Sequence, residues 1–246
     1  MKVVTFDFWN TLIHRDSARS RDRRREAWVG VLGAEGIEVD PERLLAAMHH
    51  AAARFDAEWR ENRYYGAAAA ADDMLDQLGA KVGPGVRADL VAAIGDADPD
   101  PDDLPPPTDH VAVALEGLRS RGIRIGIICD VGLTPSTTLR RYLELHGLLG
   151  YFDHWSFSDE VGTFKPDPAI FAHALEGLGG ADPTDGAHVG DLRRTDVAGA
   201  QAVGMRAVRY RGAFDDPGHP DDGSDQVEGD VVIDDHADLI AALDLA

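Results

Sequence analysis

Several acidic side chains and one lysine stand at places along this chain where ionisable groups could act together. Each acid ends a short apolar run or closely follows one, and the lysine lies just before a predicted helix start. The set consists of Asp7, Asp130, Lys165, Asp191 and Asp196. Carboxylates gathered at one site repel one another unless a hard cation lies among them. A lysine beside that cation would complete a site for a charged phosphoryl group.

The elements predicted around these residues explain why their side chains would meet. Strands and helices alternate after residue 108, which predicts an α/β fold with a doubly wound parallel sheet. Ligands of such sheets bind beyond the carboxyl ends of the strands, where these acids stand. The predicted strands are 3–6, 123–129, 155–157, 187–189, 205–210 and 231–233, and the predicted helices of this part lie at 134–147, from 168 onward, at 195–203 and at 235–243.

Residues 17–94 have a different, helical texture. Asp40 is a typical N-cap and Pro41 suits the first position of the helix that follows. Residues 98–108 contain five prolines and four aspartates, a composition that excludes a helix or a central strand and indicates a linker. We therefore predict two domains: an α/β core formed by 1–16 and 108–246, and a helical insertion at 17–107 that includes this return linker.

The overall composition limits the classes of partner. The chain has 24 basic and 44 acidic residues, a net charge of −20, which argues against nucleic acid and anionic membranes as general partners. No apolar run approaches the length of a membrane span, and the N-terminus lacks the pattern of a cleavable signal. The single cysteine, Cys129, fits a reducing compartment. We expect a cytoplasmic protein that acts on a small molecule; its oligomeric state cannot be read from the sequence.

Four segments resemble, in the same order, the four motifs of the haloacid dehalogenase (HAD) superfamily. Residues 6–12 (Phe-Asp-Phe-Trp-Asn-Thr-Leu) resemble the first motif and residues 125–130 the second. Residues 164–168 resemble the lysine-bearing third motif, and residues 188–191 with Asp196 the acidic fourth. The resemblance implies a Rossmann-like core with an inserted all-helical cap of the first topological type. It also implies a Mg²⁺-dependent hydrolase, most often a phosphatase that acts on a small phosphate monoester.

The same resemblance implies a role for each matching residue. Asp7 would attack phosphorus and form an aspartyl-phosphate, and Lys165 would neutralise the nucleophile and the transferring group. The metal would be held by Asp7, the backbone carbonyl of Trp9 and Asp191, with Asp196 as a ligand or as an orienting group. The implied phosphate-binding residues are Thr11, Cys129, Asp130 and Lys165.

Simpler roles remain open for several of these residues. Asp191 could cap the helix that follows it, and Asp196 could be an ordinary acid of an early helix position. Cys129 could be a small buried filler. Thr11 could shape the turn after the first strand.

Two positions depart from the family pattern. Phosphatases of the family carry a second aspartate two residues after the nucleophile, where it protonates the leaving group and then activates water; this chain has Trp9. Residue 130 is an aspartate where asparagine is common, and a carboxylate beside phosphate is repulsive unless it is protonated or turned away. Asp130 and His14 are the candidates for a replacement acid and base.

The missing second aspartate leaves other functions open. Haloacid dehalogenases lack it too, but they usually carry a tyrosine where this chain has Phe171, and they lack the acidic pair that is present here. Phosphonate hydrolases need a lysine in the cap, where the insertion offers only Lys81. A catalytically silent member that binds a ligand or a partner protein is the remaining alternative, and Trp9 favours it.

Overall fold

The structure, a computed structural model, describes residues 1–96 and 99–245. Asp98, with which the predicted linker begins, lies outside the described residues, as does Ala97. The strands form one parallel sheet with the spatial order β3-β2-β1-β4-β5-β6, which confirms the predicted fold class. Each predicted strand is present, with ends that differ by at most one residue: β1 (Val3–Phe6), β2 (Arg124–Cys129), β3 (His154–Phe157), β4 (Gly186–Gly190), β5 (Arg206–Tyr210) and β6 (Val231–Ile233).

β1 lies at the centre of the sheet, where the direction of winding reverses. It pairs with β2 on one side and with β4 on the other, so Phe6 stands beside both Ile127 and Val189. Every residue of β1 is buried, as expected of a central strand of a parallel sheet, and apart from Thr5 its residues are apolar. The carboxyl ends of these three neighbouring strands therefore lie at one edge of the sheet.

Helices make up most of the first hundred residues. Trp28 and Leu90, on the first and fourth of these helices, are completely buried, and the Trp28 indole donates to the Leu90 carbonyl at 3.0 Å. The Asp40 side chain accepts from the backbone N–H of Glu42 at 2.9 Å, as expected of an N-cap. The helices are α1 (Ser17–Ala34), α2 (Pro41–Arg60), α3 (Ala67–Leu78) and α4 (Pro84–Gly95).

The later helices differ from the sequence prediction in several places. The short helix Ser158–Val161 was not predicted, and His236–Asp238 of the helix predicted at 235–243 forms a 3₁₀ turn. α5 was not predicted, because its first turn has no side-chain cap. The helix predicted at 195–203 is wrong in its first residues, since Arg193–Val197 forms a π-helical turn before the α-helix begins. The later helices are α5 (Val111–Arg119), α6 (Ser136–Leu145), α7 (Ser158–Val161), α8 (Pro168–Gly177), α9 (Ala198–Val203) and α10 (Leu239–Ala242).

The described residues group into two compact units. The core unit contains 1–15, 105–130 and 143–245; the helical unit contains 16–96, 99–104 and 131–142. Segment 131–142 thus groups with the helices, although it was assigned to the core by sequence, and the predicted domain boundaries stay a prediction. Throughout the described ranges, no helix has the length and apolar character needed to cross a membrane.

Candidate active site

Asp7 is positioned by β1 and by a hydrogen bond to the neighbouring strand. Its backbone N–H donates to the Val189 carbonyl of β4 at 2.8 Å, so the pairing of the two strands continues to the residue at which β1 ends. Asp7 is only 8% exposed. Its carboxyl group therefore leaves the sheet at the carboxyl edge in a largely dry environment.

A tight turn follows Asp7 and connects it with the end of β4. The Ile13 N–H donates to the Phe8 carbonyl at 3.1 Å, and Asn10 adopts a left-handed conformation with φ 56°, which asparagine tolerates better than most residues. The Asn10 side-chain amide then donates to Asp191 Oδ2 at 3.3 Å. The turn after the first strand thus contacts the acid that follows the fourth.

Lys165 joins two of the acids directly. Its Nζ lies 2.5 Å from Asp7 Oδ1 and 2.6 Å from Asp196 Oδ1, and the residue is 1% exposed. Burial opposes the charge, but Asp196 and Asp7 outweigh it and raise the pKa of Lys165 well above its ordinary value. The ammonium therefore stays protonated. The Lys165 backbone N–H donates to Asp130 Oδ1 at 2.8 Å, which fixes the loop that carries the lysine.

Asp196 is held by several hydrogen bonds at once. The Leu192 N–H donates to Oδ2 at 2.9 Å, and His188 Nε2 lies 3.0 Å from Oδ1. His188 Nδ1 in turn lies 2.9 Å from the Thr5 hydroxyl. Burial lowers the pKa of His188, so a neutral ring that donates from Nε2 suits this arrangement. Although burial works against it, the Lys165 ammonium and the His188 contact lower the pKa of Asp196 to about 2.

The backbone is shaped to admit the Asp196 carboxyl group. Asp196 lies in the π-helical turn Arg193–Val197, which folds back towards β4. A Cβ atom at Gly190 would overlap the Asp196 carboxyl group, so the glycine before Asp191 is required by this close approach.

The three acids Asp7, Asp191 and Asp196 form a buried cluster. One oxygen of each lies within 4.8 Å of the others. Burial raises the pKa of Asp7 to about 7, and burial together with the Asp7 charge raises the pKa of Asp191 well above its ordinary value. Three carboxylates face a single lysine, so full ionisation would leave two uncompensated negative charges. A set of oxygen donors with this excess charge fits a divalent hard cation such as Mg²⁺.

Cys129 and Thr11, which are implied to bind phosphate, are both buried. Cys129 ends β2 and is 1% exposed, and burial raises the pKa of its thiol well above the ordinary value. The Thr11 carbonyl accepts from His236 Nε2 at 2.7 Å, whereas its hydroxyl has no hydrogen-bond partner within the described part of the chain. Phosphate binding by either residue stays a prediction.

Trp9 and His14 are less buried than the acids. Trp9 is partly exposed, and its ring meets Phe8 edge-on with 5.1 Å between the centroids. His14 is also partly exposed, and its backbone N–H donates to the Pro106 carbonyl at 2.9 Å. Because residue 9 is a tryptophan, the position two residues after the nucleophile has no ionisable side chain.

Three residues of this network were not singled out from the sequence: His188, Asn10 and Thr5. His188 and Thr5 are polar residues within buried strands, a signal that sequence reasoning could have used, because a buried polar group needs a partner. Asn10 gave no such signal, since its role depends on the left-handed turn.

Comparison with known proteins agrees with the motifs. The sequence model of a family described as haloacid dehalogenase-like hydrolase matches residues 1–204. Haloacid dehalogenase-like hydrolase domain-containing protein 3 of Bos taurus is 38% identical over 98 residues, which are 40% of this chain and 37% of that protein. Glyceraldehyde 3-phosphate phosphatase of Methanopyrus kandleri is 29% identical over 237 residues, 92% of this chain and 91% of that protein.

Solved structures show the same fold. A crystal structure of a HAD phosphatase from Thermococcus onnurineus superimposes with a TM-score of 0.64 and 26% identity, covering 99% of this chain and 98% of that one. The matches to the Methanopyrus and Thermococcus proteins cover more than nine tenths of both chains, whereas the match to the bovine protein spans little more than a third of its length.

Proposed function

Because the chain belongs to the haloacid dehalogenase-like hydrolase family, we propose that it is a Mg²⁺-dependent phosphatase that cleaves a small phosphate monoester through Asp7. The observation that carries the proposal is the buried contact of Lys165 with Asp7, beside Asp191. A buried charge is costly unless it is paired, and a nucleophilic carboxylate poised next to a cation suits attack on a charged phosphoryl group. The relative named glyceraldehyde 3-phosphate phosphatase supports phosphatase activity over dehalogenation.

The contacts and the family motifs support the following roles. Asp7 is the nucleophile, and Lys165, which holds Asp7 Oδ1, steadies it and neutralises the group in transfer. Asp191 and the Trp9 carbonyl would hold Mg²⁺ together with Asp7. Asp196 is better suited to orient this set than to ligate, because both of its oxygens already accept hydrogen bonds. Mg²⁺, when bound, would neutralise the carboxylates and the phosphoryl oxygens.

Dehalogenation is the less well supported alternative. Phe171 is fully buried and meets the His188 ring edge-on at 5.4 Å; it offers no hydroxyl at the position where the dehalogenases carry one. The excess negative charge of the cluster that contains Asp191 and Asp196 also suits a metal-dependent reaction better than a metal-independent one. Halide release from 2-haloacids in the presence of EDTA would nevertheless establish this activity.

The test is turnover of a broad panel of phosphate monoesters by the purified chain, with Mg²⁺ or with EDTA. We expect Mg²⁺-dependent release of phosphate that Asp7→Asn abolishes. Asp221→Asn is the matched control, because the Asp221 side chain is 90% exposed, and it should retain full activity. If no substrate is turned over faster by the parent than by Asp7→Asn, the proposal fails and the silent, ligand-binding alternative is favoured.

A further inference from the structure

The residue at position 9 has a consequence for the class of phosphate that can be cleaved. Loss of an alkoxide from a phosphoryl group is slow unless an acid protonates the departing oxygen, and such proton transfer contributes about 10²–10⁴-fold. Trp9 follows the nucleophile by two residues, and its indole carries no proton that it can give up at neutral pH. Another residue must therefore supply the acid, or the reaction must proceed without one.

The ionisable groups in contact around Asp7 are committed to one another. Lys165 Nζ bridges two carboxylates, and Asp196 accepts from Lys165, His188 and the Leu192 amide. Asp191 accepts from Asn10. These hydrogen bonds hold the groups in the cluster. Each group therefore serves to position the nucleophile and is not directed at the departing oxygen as a proton donor.

Of the two remaining candidates, Asp130 binds the loop that carries Lys165, and the observed contact of His14 is made by its backbone. Asp130 Oδ1 accepts from the Lys165 backbone N–H at 2.8 Å, which explains an aspartate at this position without a role in proton transfer. His14 is seven residues beyond the nucleophile, and its backbone is bound to Pro106. Neither contact directs an acid towards the oxygen that departs from phosphorus.

From this arrangement we infer that the chain acts on phosphates whose leaving group departs as a stable anion, that is acyl or aryl phosphates, in preference to alkyl phosphates. The inference rests on the proposed function: aryl phosphates are a subset of the phosphate monoesters, and acyl phosphates, which are mixed anhydrides, extend the class to related substrates. An acyl phosphate needs no proton donor, because the carboxylate that leaves is already a stable species.

The two steps are as follows. An Asp7 carboxylate oxygen bonds to phosphorus, the bond from phosphorus to the substrate oxygen breaks, and its electron pair departs with the carboxylate or phenolate. Water then bonds to phosphorus, the bond to Asp7 breaks with its electron pair returning to the carboxylate, and the proton of water passes to solvent. Since position 9 also lacks a base for this second step, the aspartyl-phosphate should accumulate.

The experiment is a leaving-group series with the full chain and Mg²⁺: acetyl, p-nitrophenyl, phenyl and n-butyl phosphate. We expect kcat/KM to fall by at least about 10³-fold from the first to the last, within the range that a missing general acid explains. For the two best leaving groups we expect a common kcat, since both pass through the same slow hydrolysis. Rapid mixing should give a burst of p-nitrophenol equal to the enzyme concentration, and mass spectrometry should find a phosphoryl group on Asp7.

Variants at position 9 distinguish the effect of adding an acid from the effect of replacing the tryptophan with a smaller side chain. Trp9→Asp should raise kcat/KM for n-butyl phosphate by about 10²-fold or more and remove the burst, whereas Trp9→Asn, of the same size but without an acid, should do neither. Trp9 is partly exposed, so a carboxylate there stays in contact with water. If Trp9→Asp fails to fold, two measurements on the parent chain still test the inference: the fall of kcat/KM across the leaving-group series and the burst of p-nitrophenol.

Several results would overturn the inference. Turnover with kcat/KM independent of the leaving group would contradict it while the proposed phosphatase function stands. If Asp130→Asn or His14→Gln reduces n-butyl phosphate cleavage selectively, rather than all substrates equally, that residue is the missing acid and the inference is wrong. Absence of turnover and of phosphorylated Asp7 with every substrate would instead refute the proposed function itself.

Discussion

The core unit and the helical unit place their charged side chains in opposite surroundings. In the core unit, Lys165 contacts Asp7 and Asp196, and its side chain is 2% exposed. In the helical unit, Arg87 pairs with Asp72 through two hydrogen bonds of 2.6 and 2.7 Å, yet these side chains are 42% and 52% exposed. The distances are alike, although one contact is a lysine between two carboxylates and the other an arginine on one; the main difference is the exposure to water. Burying charged groups carries a large desolvation penalty, so a buried charge cluster indicates a function, whereas an exposed ion pair indicates little.

Removal of the buried ammonium should have the largest effect. In Lys165→Met, Asp7 and Asp196 lose their common partner while both remain buried. We expect kcat/KM for the best phosphate substrate to fall by at least about 10²–10³-fold, and the free energy of unfolding to fall by about 3–5 kcal/mol, as for other buried pairs that lose one member. Steady-state kinetics and urea denaturation measure the two effects.

The matched control is Lys81→Met, which removes an exposed lysine of the helical unit. It should leave both quantities close to those of the parent. Activity of Lys165→Met within tenfold of the parent would show that the buried contact is structural and that the contrast between the two units has been misread.

Features of the core unit that depend on local sequence patterns could be predicted from the sequence, whereas features that depend on tertiary contacts could not. The proximity of Asp7 and Asp191 could be predicted, because both follow strands of one parallel sheet and such strands end at one edge. Lys165 follows no strand; it was singled out from the loop before a predicted helix and from its resemblance to the third motif. His188 was missed because its contact with Asp196 depends on the π-helical turn, which no local pattern marks. α5 was missed although its buried residues Val111, Ala114, Leu115 and Leu118 follow a helical period; the lack of a capping side chain hid its start.

His236 provides a buried group of the core unit whose effect should be intermediate. Its Nε2 contacts the Thr11 carbonyl, and its ring stacks on Tyr210 with 4.2 Å between centroids. Burial lowers the pKa of His236 from 6.5 to about 4. Between these values the unfolded chain binds the proton and the folded chain does not. The stability that neutral His236 provides is therefore complete above pH 6.5 and is lost as the pH falls towards 4.

At pH 5 this loss amounts to about 2 kcal/mol relative to pH 7.5. His236→Gln, which keeps an amide donor but cannot be protonated, should reduce the pH dependence of urea unfolding by that amount. His110→Gln is the control, because His110 lies in an exposed pair with Asp235. Equal pH dependence in the parent and in His236→Gln would contradict this expectation, because it would mean that folding leaves the pKa of the imidazole unchanged.

The exposed pair of the helical unit should give the smallest effect, and this makes it the most direct test of the contrast. Arg87 and Asp72 form a bidentate contact with good distances, so distance alone would rank it with the contacts of Lys165. Water and salt screen exposed charges, however, and holding two long side chains in place costs entropy. We expect Arg87→Met to shift the midpoint of thermal unfolding by less than about 2 °C, and less still in 1 M salt. A shift as large as that of Lys165→Met would mean that contact geometry, rather than burial, determines what a charge contributes in this protein.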